Sequence, residues 1–299
     1  MNETREFHYR LPGRAGGFRP GSHPGTSFGA GQQFALHARL ADHPDPRRVD
    51  LRASLQSVRG EWLVRLHLQR VAVPVHVVVD VSASMCFGKR RSKLEVVADF
   101  VAALGYSAFR SGDRAGMTAF DAQAREDLFV SPRHGRGSGD MMAAMLRAEA
   151  VLSRTRGANG RRSGHGNASG INGLARAVEP LAAKQALVFI VSDFHWPLDG
   201  LPAVLDTLAH ASVVPIVVWD EAELAPPPHG SLLAVHDAET GAQRTIWLSP
   251  RVRHQWEAAV SRRREELGSL FGVRGLRPFE IAGAFDADAL SRYFIEGTA

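Results

Sequence analysis

Residues 77–85 read Val-Val-Val-Asp-Val-Ser-Ala-Ser-Met: three valines run into a carboxylate, Asp80, and hydroxyls follow at Ser82 and Ser84. In an extended turn this alternate spacing lets all three side-chain oxygens converge on one point. A carboxylate with neutral hydroxyls is a hard oxygen set, suited to Mg²⁺, Mn²⁺ or Ca²⁺. The same residue types also satisfy backbone N–H groups where a strand turns toward a helix, so the triplet alone leaves both readings open. A second apolar run, residues 186–194 (ALVFIVSDF), also closes on a carboxylate, Asp193. Two strand-end aspartates favour a shared site over a local turn.

The elements that must position these residues follow from periodicity. Residues 71–80 and 186–194 are nearly continuously apolar, as in strands buried on both faces of a parallel sheet. Residues 61–70 alternate, with Leu66 and Leu68 opposite Arg65 and His67, the pattern of a half-buried strand. Residues 92–112 carry a helical stripe of Leu94, Val97, Phe100, Val101, Leu104 and Ala108; 139–153 form a second helix with Met142, Met145, Leu146 and Val151 as core candidates. Ser249 and Pro250 start a late helix whose buried stripe is Val252, Trp256, Ala259, Val260 and Leu267. Residues 1–32 read as a glycine- and proline-rich arm, 42–54 as a polar turn, and 154–170 as a glycine- and arginine-rich loop. Strands alternating with helices define an α/β protein with an open, mostly parallel sheet, whose ligands bind beyond the carboxyl ends of its strands. The expected division is a small β-rich region over 1–71 and the α/β domain over 72–299, with a β-hairpin insertion near 232–248.

Several chemistries lack their residues. A haloacid-dehalogenase phosphotransferase needs an aspartate where Ser82 stands, and no G-x-S-x-G elbow or phosphate-binding P-loop occurs. The histidines form no H-x-x-x-H pair, and Cys86 is the lone cysteine, so neither a zinc site nor an internal disulfide is expected. No apolar run reaches the ~20 residues of a membrane span. The N-terminal residues lack the apolar core of a secretory signal, so the expected compartment is the cytoplasm. The net charge of +5 is carried by arginine, with Lys89, Lys93 and Lys184 the only lysines. Scattered arginines fit solvated faces better than a nucleic-acid stripe.

The succession DPRRVDLRAS (45–54), GEWLVRLHLQR, VVVDVSASMCFG, SGDRAGMTAF and VSDF resembles bacterial proteins of domain-of-unknown-function family 58, from about Asp45 to the last helix. Asp-x-Ser-x-Ser after a first buried strand, with a later strand-end aspartate, resembles the von Willebrand factor A fold and its metal-ion-dependent adhesion site. Leu51 stands where the family usually has tryptophan, and the membrane helices of many members have no counterpart here. The N-terminal arm resembles that of MxaS-type proteins of methanol oxidation clusters. The resemblance implies that Asp80, Ser82 and Ser84 form the first metal loop, with Asp193 as the last acidic member, acting through water. The family's threonine is missing; Ser169 is the nearest hydroxyl, with Asn167 or Asn172 as amide-oxygen substitutes. It further implies a non-catalytic module whose Mg²⁺ (or Mn²⁺ or Ca²⁺) offers one open position to a partner's carboxylate. Specificity would come from loops 85–91, 121–124, 154–170 and 194–199, with Arg154, Arg156, Arg161 and Arg162 drawing an acidic partner. The implied partners are a MoxR-type AAA+ ATPase and a client protein, for the MxaS type the calcium- and quinone-dependent methanol dehydrogenase system. The alternatives are a Mg²⁺-dependent hydrolase using Asp80 and Asp193, and a basic nucleic-acid-binding protein; His195 and Trp196, which follow close on Asp193, read as packing or loop residues ahead of site-lining ones.

Overall fold

Strands that are apolar on both faces need cover on both, and two layers of helices supply it. The computed structural model describes residues 6–17, 19–29, 31–158, 169–224, 230, 232–236 and 243–297, with backbone alone at 156–158, 169, 233–236 and 243–244. The chain opens with β1 (Pro20–Gly29), β2 (Gln33–Arg39), α1 (Leu51–Leu55) and β3 (Leu63–Val71). β4 (Pro74–Asp80), α2 (Lys93–Arg110), β5 (Arg114–Phe120), β6 (Ala124–Arg133) and α3 (Ser138–Ala158) follow. Next come α4 (Ser169–Val178), β7 (Leu187–Ser192), α5 (Leu201–Thr207), β8 (Ser212–Trp219) and α6 (Glu221–Leu224). A hairpin of β9 (Leu232–His236) and β10 (Gln243–Trp247) leads into α7 (Pro250–Gly272), β11 (Phe279–Ala282) and α8 (Ala287–Glu296).

The main sheet has the order β11-β8-β7-β4-β5-β6, parallel throughout except for the antiparallel edge strand β6. The chain winds outward from β4 to β6 on one side and from β7 to β11 on the other. Its direction of winding reverses between β4 and β7, which makes their carboxyl ends the topological switch point of the sheet. This is the von Willebrand factor A-like α/β arrangement. Alternate residues of β4 feed two cores. Val75, Val77 and Val79 pack with α2, α3 and α8, while Val78 packs with α4, α5 and α7. α2 starts with a capping box in which Ser92 and Glu95 satisfy each other's backbone N–H groups.

The second, antiparallel sheet has the order β1-β3-β2. Here the structure departs from the expected loop-like arm. The glycines that suggest a loop are instead needed for close pairing. A Cβ on Gly21 would sit 2.3 Å from Ala72 N, and one on Gly25 would sit 2.5 Å from the Gln69 carbonyl oxygen. Residues preceding β1 enter the main core, where Phe7 lies against Phe100 with ring centroids 6.1 Å apart. Asp113, fully buried, fastens this segment. Its Oδ2 accepts from Tyr9 Oη at 2.6 Å and bonds His23 Nε2 at 2.7 Å, and its Oδ1 accepts from Val73 N at 2.7 Å.

Other boundaries shift for physical reasons. The expected polar turn holds a 3-10 turn and α1, each N-capped by an aspartate, Asp45 and Asp50. α3 runs to Ala158, so the first residues of the expected 154–170 loop are helical, and Val151 is 57% exposed rather than core. On α7 only Leu267 and Phe271 are buried; Val252, Trp256 and Val260 are half-buried and Ala259 is exposed, because the first turns of α7 lie over α6 rather than over the sheet.

Asp113→Ala removes the acceptor of three buried donors and is expected to cost about 2–5 kcal/mol, read from urea unfolding; a loss below about 0.5 kcal/mol, as at an ordinary surface position, contradicts the fastening role. Burial, and then the charges of Lys184 and Arg114, push the His76 imidazole on β4 down from 6.5 to about 4. His76 is therefore neutral when folded, and its contribution to stability is present above pH 6.5 and lost as pH falls through about 4. His76→Gln should flatten the fall in unfolding midpoint across that window; identical slopes contradict this.

Candidate functional site

Asp80 ends β4, and Asp193 follows the last residue of β7, on adjacent parallel strands. Both are fully buried. Ser82 N donates to Asp80 Oδ1 at 2.9 Å; Ser192 Oγ and Trp196 Nε1 donate to Oδ2 at 2.6 and 3.1 Å. Phe194 N in turn donates to Ser192 Oγ at 2.8 Å. Burial, and then repulsion from Asp193, push the Asp80 carboxyl up to about 6. Beyond Asp80 the chain makes a 3-10 turn over Ala83–Cys86, which brings the half-buried Ser82 and Ser84 hydroxyls within 3.1 Å of each other.

Asp193 has a different environment. Lys93, the first residue of α2, is 1% exposed at its side chain, and its ammonium donates to Asp193 Oδ2 at 2.6 Å and to Glu223 Oε1 of α6 at 2.8 Å. The other Asp193 oxygen accepts from His195 N at 3.2 Å, and Ser84 also bonds the carboxylate. Burial raises the pKa of Asp193, but the Lys93 ammonium, His195 and Ser84 together outweigh it and hold the group below its ordinary value. Burial likewise works against the charged lysine, and Asp193 and then Glu223 overcome it, so its pKa is raised. Glu223 Oε2 accepts from Asp220 N at 2.9 Å, and Trp256 Nε1 donates to the Glu223 carbonyl at 2.8 Å, fixing α6 beneath α7.

The segment after Asp193 is held in an uncommon conformation. Phe194 has φ 49°, the left-handed region that a bulky residue rarely occupies. Arg263 of α7 donates to the carbonyls of Phe194 and Trp196, to the latter at 2.6 Å. α4 begins against this segment: a Cβ on Gly170 would lie 2.7 Å from Trp196 Cδ1.

The four residues expected at the first and last metal loops, Asp80, Ser82, Ser84 and Asp193, come together. Ser169 opens α4 beside Trp196, with its side chain outside the described residues; Asn167, Arg161, Arg162 and the side chain of Arg156 also lie outside them. Asn172 is exposed on α4. Arg154 is not a free attractor, since its guanidinium donates to Glu95 at 2.6 Å on α3's flank. Trp196 is part of the site rather than packing alone. His195 is 39% exposed, with Nδ1 3.5 Å from Asp193 Oδ2.

The donor set fits a hard cation at its first loop. Octahedral ligands at ~2.1 Å from Mg²⁺ stand about 3 Å apart when adjacent, the separation that Ser82 and Ser84 already have. The Ser82 side chain also bonds the Asp80 carboxylate, so this carboxylate stands beside the hydroxyl pair and can share a cation with it. Asp193 fits as an outer acceptor, because Lys93 and His195 N engage its two oxygens. Among the described residues no three His, Cys, Asp or Glu side chains gather as a metal-ligating group, so such a site would rest on hydroxyls as much as on carboxylates.

Residues 45–266 match the family described as "Protein of unknown function DUF58", and the chain belongs to that family. An "Uncharacterized protein in moxR 3'region" of Paracoccus denitrificans is 32% identical over 101 residues, which cover 34% of this chain and 96% of that one. An uncharacterized protein of Mycobacterium tuberculosis is 25% identical over 252 residues, 83% of this chain and 73% of its own. Among solved structures, an aerotolerance-related membrane protein from Bacteroides fragilis aligns with TM-score 0.43 at 15% identity, over 76% of this chain and 98% of that one. BatB from Bacteroides thetaiotaomicron aligns with the same score at 16% identity and the same coverage. Among the described residues no helix is long and apolar enough to cross a membrane.

Proposed function

We propose that this protein is a non-enzymatic docking partner of a MoxR-type AAA+ ATPase. It would bind through a divalent cation held by Asp80, Ser82 and Ser84, with Asp193 acting through water. The observation that carries the reading is the convergence of the Ser82 and Ser84 hydroxyls, 3.1 Å apart, beside a buried carboxylate at the switch point of the sheet. Mg²⁺ suits the spacing, and Mn²⁺ shares its preference for oxygen. Three ligands from one loop leave a coordination position toward solvent, which an aspartate or glutamate of the partner fills. The Paracoccus denitrificans relative from the moxR 3' region supports the ATPase as partner. The MxaS-type assignment, with the methanol dehydrogenase system as client, rests on the resemblance of the N-terminal arm.

Two observations favour docking over the alternatives. A hydrolase needs a free base, and Asp193 is already engaged by Lys93 and by His195 N. Nucleic-acid binding needs a stripe of unpaired cations, and on the α2–α3 face Arg91 and Arg147 share Asp99, Arg125 pairs with Asp127 and Glu149, and Arg154 with Glu95.

Capture of the MoxR-type ATPase by the immobilised protein should fall about tenfold or more with EDTA or with Asp80→Ala, as expected when one buried charged contact worth ~1.4 kcal/mol or more is lost. Mg²⁺ should restore capture by the wild type alone. Capture indifferent to both treatments contradicts the reading.

A further inference from the structure

We propose that Lys93 is a built-in counter-cation that loosens the grip of the site on its metal and keeps the site receptive to an acidic partner. The inference rests on the docking reading above. Lysine is almost never fully buried unless paired, and here a single ammonium joins three separate elements: the start of α2, the end of β7 through Asp193, and α6 through Glu223. α2 is already anchored by Leu94, Val97, Phe100, Val101 and Leu104 and by its capping box, and a buried ion pair is commonly no more stabilising than apolar side chains of the same volume.

The consequences for a metal follow from charge and lone pairs. With Lys93 on Oδ2 and His195 N on Oδ1, Asp193 is drawn away from direct ligation. The cation is left with Asp80 and two neutral hydroxyls. Asp80, Asp193 and Glu223 carry three negative charges and Lys93 returns one, so the linked cluster balances one divalent cation. Without the lysine, the loaded cluster keeps a net negative charge and repels the carboxylate it has to receive. The ammonium thus exchanges metal affinity for partner affinity. It is a positioning residue, acting on the metal through Asp193. An ammonium suits the task because it is compact, and Lys93 is one of three lysines among the 36 lysines and arginines of the chain.

The test is a Mn²⁺ titration followed by electron paramagnetic resonance, at pH 7.5, on the full-length wild type, Lys93→Met and Glu223→Gln. Lys93→Met uncovers negative charge and should bind Mn²⁺ about tenfold more tightly, whereas Glu223→Gln leaves the ammonium less compensated and should bind several-fold more weakly, by about threefold or more. Opposite signs are the signature, since a role in packing alone loosens the site in both variants and moves them the same way. Circular dichroism establishes that each variant is folded. If Lys93→Met does not fold, Glu223→Gln decides alone: weaker binding supports the inference, and unchanged or tighter binding overturns it. Wild type that binds Mn²⁺ while the variants shift together, or not at all, overturns this inference only. Wild type that binds no Mn²⁺ overturns the cation-site reading and this inference with it.

Discussion

Two carboxylates stand side by side at the ends of adjacent parallel strands, both out of water, and their mutual repulsion has to be relieved by whatever surrounds them. The protein meets this constraint differently on the two sides. Asp80 is bonded by the backbone and side chain of Ser82, by Ser192 and by Trp196, and no ammonium or guanidinium among the described residues bonds it. Asp193 receives a lysine. The asymmetry explains why burial and its neighbour push the Asp80 carboxyl up to about 6 while Asp193 is held below its ordinary value. It also divides their roles: of the two carboxylates beside the hydroxyl pair, Asp80 is the one without a cation.

Much of the surrounding structure serves that pair. The reversal of winding between β4 and β7 opens the crevice. The capping box fixes the first turn of α2, and with it Lys93. Arg263 holds the carbonyls of Phe194 and Trp196, which stabilises the left-handed Phe194 and keeps the Trp196 indole on Asp80. α6 is a single turn, yet it carries Glu223 and is tied to α7 through Trp256. The N-terminal segment contributes at a distance: Phe7 and Tyr9 complete the core beneath α2, and Asp113 clasps Tyr9, His23 and Val73.

What the sequence disclosed depended on how local the cause was. β4 and β7 were legible because strands covered on both faces must be continuously apolar, and their terminal aspartates stand out against valine and isoleucine. The Ser82–Ser84 convergence follows from spacing within one turn. The contacts of Lys93 were not legible, since α2, β7 and α6 are brought together only by the sheet order. Its one signal was a lysine placed inside an apolar helix of an arginine-rich chain. β1 was hidden because its glycines, which serve close backbone pairing, are also the residues of loops. Trp256 was assigned to the core by its helical period, but its indole N–H faces the α6 carbonyl and keeps it half-buried. Trp196 looked like packing because its hydrogen bond to Asp80 spans the sheet.

The proposed divalent cation would sit at the switch point on Asp80, Ser82 and Ser84. Crystals grown with Mn²⁺ and measured at the manganese absorption edge test it directly. An anomalous peak is expected in contact with the Ser82 and Ser84 hydroxyls, on the solvent side of Asp80, with Lys93 still on Asp193. Full diffraction with no peak there, or a peak elsewhere on the molecule alone, would contradict it.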